Sequence, residues 1–332
     1  KTLKVGPLKA LAFGNGKLFG LIGGKVCEID PESGVKTPIS TPSAAQITDI
    51  AVDKAGNVLV ADMGPDKQVK AFDKNGKMVY TCGKKGGRPI RGKFDEQGML
   101  KVSSVDVDQN GDVWVVESWQ NPRRVSVWSP KNGELVKDYV GNTAYGGTGV
   151  YLDENPDNAY VGSVKMTLDR KNDTYKVDEI LCVAEPDKNE GFPLWVHAHW
   201  FSNPNFVWSD ASGKRKKYLY NNGMYAAWHG IFMRRNGCWQ PVAVLTSVKE
   251  LRKQVPKLKL DGRDAKQGVF WNDLNKNAAV ERQELSFVEE SMPLRCFWGS
   301  KPGSDLSVFC KGGKERIRYK PIRFTDDGAP VY

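Results

Sequence analysis

The chain has 332 residues, of which 40% are hydrophobic, and its formal net charge is +10. With 10 Trp, 13 Phe and 11 Tyr the composition excludes a disordered protein, and the apolar runs have only the length of strands, so we predict no membrane span. A positive field raises the local concentration of acidic partners, so polyanions are the favoured partner class; the alternative is a lysine-rich surface that serves solvation alone.

The chain begins at Lys1 with neither a methionine nor a charged and apolar leader, so we expect a processed product or a fragment of a larger protein. The first predicted elements are short strands over 8–13, 17–21 and 25–30, with a glycine turn over 14–16. They form a compressed version of a pattern that the following segments repeat.

Two longer copies of this pattern occupy residues 47–62 and 102–117, each with an alternating strand, a polar glycine turn, a second apolar strand and a terminal acid. Each is followed by a β-branched strand, over 68–72 or 124–128, and by another glycine turn. A period near the length of a propeller blade, about 40–45 residues, indicates an all-β fold. We predict a six- to seven-bladed β-propeller of four-stranded antiparallel blades, as a single domain over 1–332.

A glycine-rich loop over 82–94 separates the second copy from the third. This part of the chain resembles the NHL-repeat family of β-propellers. The resemblance rests on the glycines of the loop with Phe94, on the strand pair that follows, and on the segment from Asn121 to Val127. The resemblance covers residues 44–140 and fades beyond them. It implies a propeller fold and a structural role inside a blade for Arg123 or Arg124, so that neither needs to touch a ligand.

The same loop carries five cations, Lys84, Lys85, Arg88, Arg91 and Lys93. Its glycines expose backbone N–H groups that can receive an anion. We therefore predict that these five residues form a ligand-binding surface for an acidic partner. The alternative is that the glycines only turn the chain between two blades.

From residue 150 the pattern is less regular but still consists of strands and turns. We predict paired strands over 158–166 and 175–184 around a turn at 170–173, and a hairpin over 228–245 closed by the Asn-Gly pair at 236–237. The final segment ends as another strand begins. We expect N-terminal strands to complete the ring, or the native chain to continue.

The range 249–286 is predicted as a loop or insertion, with an excursion or short helix over 251–267. It contains twelve residues that resemble an EF-hand-like calcium loop, with oxygen donors at the spacing that calcium requires. These donors are Asp273, Asn275, Asn277, the carbonyl of Ala279, Glu281 and Glu284. The sixth position, where glycine permits a sharp turn, is Ala278, and a positive φ costs alanine about 1 kcal/mol. Two predictions stay open, a weak Ca²⁺ site and a decayed loop held by Asx turns.

The three histidines give a second candidate site. His197 and His199 are two residues apart, so on a strand they share one face. Such a pair can chelate a transition metal or act in acid–base chemistry. By analogy with lyases that act on acidic sugars, we predict His197, His199, Tyr225 and His229 as the catalytic residues if the protein is an enzyme. The alternative is a structural role as buried imidazoles bound to carbonyl groups.

The six cysteines include no Cys-x-x-Cys motif, so zinc ribbons, thioredoxin-type centres and covalent c-type haem lack their usual signatures. Cys296 and Cys310 flank a predicted hairpin and are the predicted disulfide pair; the alternative for all six is a small buried side chain. Seven of the ten tryptophans lie between residues 195 and 298. They either stack carbohydrate or nucleic acid beside Lys and Arg, or fill the space between blades.

These features favour a secreted, non-catalytic binding or scaffold module of a larger extracellular bacterial protein. We expect it outside the cytosol, extracellular or periplasmic, with other domains or subunits and an acidic polysaccharide as partners. The main alternative is an enzyme, either a polysaccharide lyase or hydrolase or a metal-dependent lactonase-like propeller. RNA binding on a positive face ranks third, because an even cysteine count and a calcium-loop relic are more typical of proteins outside the cytosol.

Overall fold

The structure is a computed structural model, and it describes residues 4–118, 122–141, 150–181, 205–222, 228–260, 262–288, 301–312 and 315–332. These residues divide into two compact units, Lys1–Ile90 with Phe94–Asn142 and Arg91–Lys93 with Thr143–Tyr332. Both units consist mainly of strands, as the predicted all-β class requires. Within the described ranges no helix has the length and apolar character needed to cross a membrane.

Three four-stranded antiparallel sheets make up the first unit, each with its strands in chain order. The first sheet contains β1 (Leu8–Gly14), β2 (Lys17–Ile22), β3 (Lys25–Ile29) and β4 (Lys36–Pro38), and the second contains β5 (Ile47–Val52), β6 (Val58–Asp62), β7 (Gln68–Phe72) and β8 (Met78–Cys82). The short strand β9 (Gly92–Lys93) belongs to the second unit. The third sheet contains β10 (Val102–Val107), β11 (Val113–Glu117), β12 (Arg123–Trp128) and β13 (Leu135–Gly141). The predicted repeat of four antiparallel strands is therefore confirmed for these three sheets. Closure into a ring and the number of blades stay predictions.

The first strands of the three sheets are neighbours. Lys9 Nζ donates to the Ile47 carbonyl at 3.0 Å, which links β1 to β5. The Val105 N–H donates to Asp49 Oδ2 at 3.1 Å, which links β5 to β10. Apolar side chains of the first and second sheets share one buried cluster, and those of the second and third share another. Successive sheets of the first unit therefore pack against each other.

Two turn glycines hold neighbouring sheets at close range. Gly76 and Gly133 lie between the third and fourth strands of their sheets, with φ of +78° and +73°. A Cβ on Gly133 would lie 2.3 Å from the Thr81 carbonyl oxygen, and one on Gly76 would lie 2.7 Å from Cβ of Ser40. Both the left-handed backbone and the close approach require glycine here.

A buried carboxylate lies at the end of the second strand of the second sheet. Asp62, the last residue of β6, lies 2.8 Å from Lys70 Nζ, and both side chains are buried. The N–H groups of Gln46 and Gly64 each donate to Asp62 Oδ1 at 2.9 Å. Burial alone raises the pKa of Asp62, but the hydrogen bond from Lys70, the two N–H groups and the Lys70 charge together hold that pKa below its usual value.

Glu117 occupies the same place in the third sheet, at the end of β11. Its Oε2 accepts from Arg88 Nη2 and from the Leu100 N–H, both at 2.8 Å. Its Oε1 accepts from Arg124 Nη1 at 3.1 Å, and all three charged side chains are fully buried. Arg124 also donates to the Gly98 carbonyl at 3.0 Å. The structural role inside a blade that the NHL resemblance implies is thus confirmed for Arg124.

In the second unit, two larger sheets and two short strand pairs are described. One sheet contains β14 (Val150–Leu152), β15 (Asn158–Val161), β16 (Val164–Asp169), β17 (Thr174–Ile180) and β9. The other contains β18 (Asn205–Ser209), β19 (Lys216–Asn222), β20 (Trp228–Arg235), β21 (Cys238–Ser247) and, after the helix α1 (Val248–Gln254), β22 (Gly268–Asn272) and β23 (Leu285–Phe287). The strand pairs are β24 (Val308–Gly312) with β25 (Glu315–Tyr319), and β26 (Arg323–Phe324) with β27 (Pro330–Val331). All pairings are antiparallel between neighbours in these sheets.

Two predictions for this unit need correction. The strand expected over 158–166 is a hairpin, because the chain turns at Gly162, whose φ is +57°. The range 249–286 also contains β22 and β23, which pair within the six-stranded sheet. The segment that contains α1 and the predicted calcium loop over 273–284 lie outside the strands of this sheet. Of the range 251–267, predicted as an excursion or short helix, only the part up to Gln254 is helical, and Ser247 caps α1 by accepting from the Glu250 N–H at 3.2 Å.

The hairpin predicted over 228–245 is confirmed. It is formed by β20 and β21, and Asn236 and Gly237 turn the chain with φ of +50° and +77°. Two positive φ values in succession characterise the tight turn that Asn-Gly favours.

We expect Glu117→Ala to lower the free energy of unfolding by about 3–5 kcal/mol, because two buried guanidinium groups lose their shared carboxylate. The matched control is Glu28→Ala, which removes the partner of Lys17 in an exposed pair and should cost below about 1 kcal/mol. Urea unfolding of both variants measures the difference. Equal losses in the two variants would contradict the structural role of Glu117.

The lowered pKa of Asp62 predicts a pH dependence of stability. Because this pKa is lower in the folded than in the unfolded chain, the ion pair stabilises fully above the unfolded value of about 3.9 and is lost as pH falls through the folded value. We expect Asp62→Asn to be less stable than the native chain at neutral pH and to lose less further stability below about pH 4. Urea midpoints measured from neutral to acidic pH test this, and parallel curves would refute it.

Candidate functional site

The hairpin formed by β18 and β19 carries the most distinctive surface of the second unit. Its turn is fixed by the Gly213 N–H, which donates to the Asp210 carbonyl at 2.9 Å, and Gly213 has a φ of +81°. Four consecutive cations follow this turn, over 214–217. The hairpin therefore brings a concentrated positive charge to one edge of the six-stranded sheet.

Trp208 of β18 is the aromatic centre of this surface, and 38% of it is exposed. Arg215 Cζ lies 5.3 Å from the centroid of the indole ring and Lys217 Nζ lies 5.6 Å from it. Both distances are within the range of a cation–π interaction. The indole Nε1 donates to Glu154 Oε1 at 2.6 Å, which fixes the orientation of the ring.

Near Trp208 on β18, the ring of Phe206 packs against two buried aromatic rings. Phe206, two residues earlier on the same face of β18, packs edge-on against Tyr160 at a centroid distance of 5.1 Å and lies 5.4 Å from Trp239. Lys217 Nζ also lies 4.7 Å from the Phe206 ring. Tyr160 and Trp239 are buried members of one apolar cluster, and Phe206 packs against it.

The four cations of the hairpin have different partners. Lys216 Nζ donates to the Asp327 carbonyl at 2.7 Å, and Lys217 Nζ lies 3.8 Å from Asp153 Oδ2. Within the described ranges, Lys214 and Arg215 have no carboxylate within 4 Å. Two of the four charges are therefore available for a ligand.

Asp153 anchors the neighbouring sheet edge. Burial alone raises its pKa, but hydrogen bonds from Tyr160 and Asn158, the Asn155 N–H and the charge of Lys217 keep the pKa below its usual value. The Tyr160 hydroxyl donates to Asp153 Oδ2 at 2.9 Å. Asp153 therefore stays ionised at neutral pH and holds Lys217 in place.

Of the four predicted catalytic residues, the structure describes only His229. His197, His199 and Tyr225 lie outside the described residues, so whether the histidines converge stays untested. His229 is 1% exposed. Its Nδ1 lies 2.7 Å from the Tyr220 hydroxyl and its Nε2 lies 3.1 Å from Cys310 Sγ.

This arrangement engages both nitrogens of the His229 ring. A neutral imidazole accepts at one nitrogen and donates at the other, so it can accept from Tyr220 and donate to the sulfur of Cys310. The contacts agree with the structural alternative for His229. Cys296 lies outside the described residues, and its predicted pairing with Cys310 stays a prediction.

The predicted calcium loop contains a buried ion pair. Asp273 directly follows β22 and is buried, and Arg235 Nη1 lies 2.5 Å from its Oδ2. Its Oδ1 accepts from the Ala278 N–H at 3.2 Å. Arg235 Nη2 also lies 2.8 Å from Asp327. A guanidinium group therefore supplies positive charge to the first predicted calcium ligand.

The other predicted calcium ligands form hydrogen bonds with protein groups in or next to the loop. Glu284 is buried, and its oxygens accept from Trp271 Nε1 at 2.9 Å and from the Leu274 N–H at 2.8 Å. The Asn277 N–H donates to Asn275 Oδ1, the Ala279 N–H donates to Asn277 Oδ1, and Glu281 accepts from Asn275 Nδ2. These are the Asx turns that the second prediction for this loop requires.

In this arrangement the donors do not fit a resident calcium ion, because the carboxylates of Asp273 and Glu284 are occupied by protein donors. In the described part of the chain, no group of three or more His, Cys, Asp or Glu is suited to hold a metal. Ala278 adopts a φ of +57° and Lys276 a φ of +66°, so the loop has the sharp turn that glycine usually provides. The Ca²⁺ site stays a prediction, and an ion would have to compete with Arg235.

The five residues of the predicted ligand-binding loop have different surroundings. Arg88 is buried against Glu117, so its predicted contact with a ligand is corrected to a structural role. Lys84 pairs with Asp95 at 2.6 Å, and Lys85 lies 3.8 Å from Asp66.

The remaining two residues of this loop, Arg91 and Lys93, belong to the second unit. Lys93 pairs with Glu179 through the backbone ladder of β9 and β17. Of the five predicted residues, Lys84 and Lys85 are the exposed pair that the first unit presents.

The prediction of stacking tryptophans between residues 195 and 298 did not single out Trp208. The run over 214–217 was the available signal, since four adjacent cations after a Ser-Gly turn place charge at a hairpin tip. Trp128, Trp239 and Trp271 are buried, in agreement with the core interpretation of tryptophan. Only exposure distinguishes Trp208 from these residues, and exposure depends on tertiary packing.

No protein-family model matches the chain, and no curated protein matches it. Solved structures similar to it include a gluconolactonase from Xanthomonas campestris, with 13% identity over 72% of this chain and 77% of that chain and a TM-score of 0.33. Another is the virginiamycin B lyase from Staphylococcus aureus, with 10% identity over 95% of this chain and 92% of that chain and a TM-score of 0.30. The fold described above rests on the strands of this chain and not on these likenesses.

We expect Arg235→Gln to increase the response of the protein to calcium, because Asp273 then lacks its buried cation. Without calcium the variant should melt at a lower temperature than the native chain. Millimolar Ca²⁺ should raise its melting temperature by more than it raises that of the native chain, whereas Mg²⁺ should not. Thermal melts with Ca²⁺, Mg²⁺ or chelator measure this.

The double variant Arg235→Gln with Asp273→Asn is the control, and it should lose the gain from calcium. If the native chain gains as much from calcium as Arg235→Gln does, Arg235 does not occupy the place of the ion.

Proposed function

We propose that this chain is a binding module with an NHL-like β-propeller fold, and that it recognises an acidic partner rather than catalysing a reaction. The four-stranded sheets with neighbouring first strands support the propeller assignment. The observation that carries the binding function is the hairpin surface, where Arg215 and Lys217 lie over the ring of the exposed Trp208 and Lys214 adds an exposed charge.

The distribution of charge supports an acidic partner. The net charge is +10, yet several cations serve the interior, where Lys70, Arg88 and Arg124 are buried against carboxylates. Cations without a carboxylate partner in the described ranges are the ones that can attract a polyanion, since a long-range positive field speeds association with acidic molecules.

We further propose that this module is secreted, either extracellular or periplasmic, and that it is joined to other domains or subunits. Its support is the even number of cysteines in the sequence. The enzymatic alternatives draw no support from His229, because its ring is buried and both nitrogens are engaged.

The test is retention of the full chain on immobilised dextran sulfate and on immobilised polygalacturonate, with neutral dextran as the control matrix. We expect retention on both acidic matrices at low ionic strength and elution as salt rises, because screening weakens attraction between exposed charges. Passage through both acidic matrices at low ionic strength would refute the proposed function. Equal retention on neutral dextran would refute the charge-based part.

A further inference from the structure

Arg215 is an exposed cation held in place by an aromatic ring. Its guanidinium lies over the Trp208 indole at 5.3 Å, and within the described residues it makes no ion pair. An arginine presents five N–H donors in a planar fork that matches a carboxylate bidentately. Because Trp208 orients this fork, less side-chain freedom is lost when a carboxylate binds.

The surroundings of Arg215 combine three kinds of contact. Lys214, next to it on the hairpin, adds a second exposed charge. Trp208 offers an apolar ring face, of which more than a third is exposed. Glu154 orients the indole through one oxygen and leaves the other as an acceptor, and it is itself exposed. Cation, ring and acceptor thus lie side by side on one sheet edge.

We propose that Trp208, Arg215, Lys214 and Glu154 form a binding site for a carboxylate-bearing sugar unit of an acidic polysaccharide. Arg215 pairs with the sugar carboxylate, and the indole packs against the C–H face of the pyranose ring. Glu154 accepts a hydrogen bond from a sugar hydroxyl. This inference rests on the proposed function and identifies its site and its ligand class.

The charges around the hairpin favour a sugar acid over a nucleic acid. A nucleic acid is bound through several phosphate contacts, about 6–10 in a typical complex. Here Lys216 and Lys217 are already held by protein oxygens, so two of the four cations are left, and Asp153 and Glu154 lie near the hairpin. These carboxylates repel closely spaced phosphates but accept hydrogen bonds from hydroxyl groups, which a polysaccharide supplies in number.

The experiment measures the dissociation constant of the full chain for oligogalacturonate of defined length by calorimetry. Arg215→Ala and Trp208→Ala should each weaken binding by about tenfold or more, as expected for a central arginine or tryptophan at an interface. Arg215→Lys should recover only part of the affinity, because a point charge cannot pair bidentately. Lys171→Ala, an exposed cation in the β16–β17 turn, is the matched control and should bind like the native chain.

The ligand is varied in the same experiment. Methyl-esterified oligogalacturonate should bind much more weakly than the free acid to the native chain, and this difference should shrink in Arg215→Ala. Unchanged melting temperatures confirm that the surface variants are folded.

The outcomes separate this site from the proposed function. If the native chain binds neither polygalacturonate nor dextran sulfate, the proposed function fails and this site fails with it. If the native chain binds the acid but Arg215→Ala and Trp208→Ala bind equally well, the site is wrong while the function stands. Tighter binding of a single-stranded oligonucleotide than of oligogalacturonate, lost in the same variants, would overturn the ligand class.

Discussion

The first unit depends on one buried carboxylate in each of two repeats. Asp62 and Glu117 both end the second strand of their sheet, and both accept a backbone N–H from the segment just before the first strand. A buried charge without a partner costs several kcal/mol, so each repeat must also supply a cation. Lys70 pairs with the carboxylate of one repeat, while Arg88 and Arg124 pair with that of the other. The same geometry is thus stabilised by different side chains.

This constraint explains why Lys70, Arg88 and Arg124 are unavailable to partners. The second unit uses the same device, because Arg235 lies between Asp273 and Asp327 and neutralises a buried carboxylate after a strand. A sequence pattern typical of a calcium loop is therefore folded here around a guanidinium group. At the tip of the β18–β19 hairpin, by contrast, Arg215 is exposed and stacks on Trp208.

Local patterns in the sequence were sufficient for the strands of the first unit and for the hairpin at Asn236. They failed where a partner is distant along the chain. Arg88 looks like an exposed cation in a glycine-rich loop, but its carboxylate, Glu117, is 29 residues away. The partner of Asp273, Arg235, is 38 residues away.

The strand predicted over 158–166 failed for a local reason, since an apolar run does not reveal that Gly162 takes a positive φ. The exposure of Trp208 could not be predicted either, because buried and exposed tryptophans occur in the same kind of strand. Burial is set by the sheet that packs opposite, and the local sequence does not specify that sheet.

The central claim is that the exposed indole of Trp208 is the contact point for an acidic sugar. The most direct measurement is fluorine NMR of the chain with all ten tryptophans fluorinated, with the Trp208 signal assigned from Trp208→Phe. On addition of oligogalacturonate the account predicts that the Trp208 signal shifts while the signals of Trp128 and Trp271, which are buried, do not. A titration that shifts other tryptophan signals and leaves that of Trp208 unchanged would contradict it.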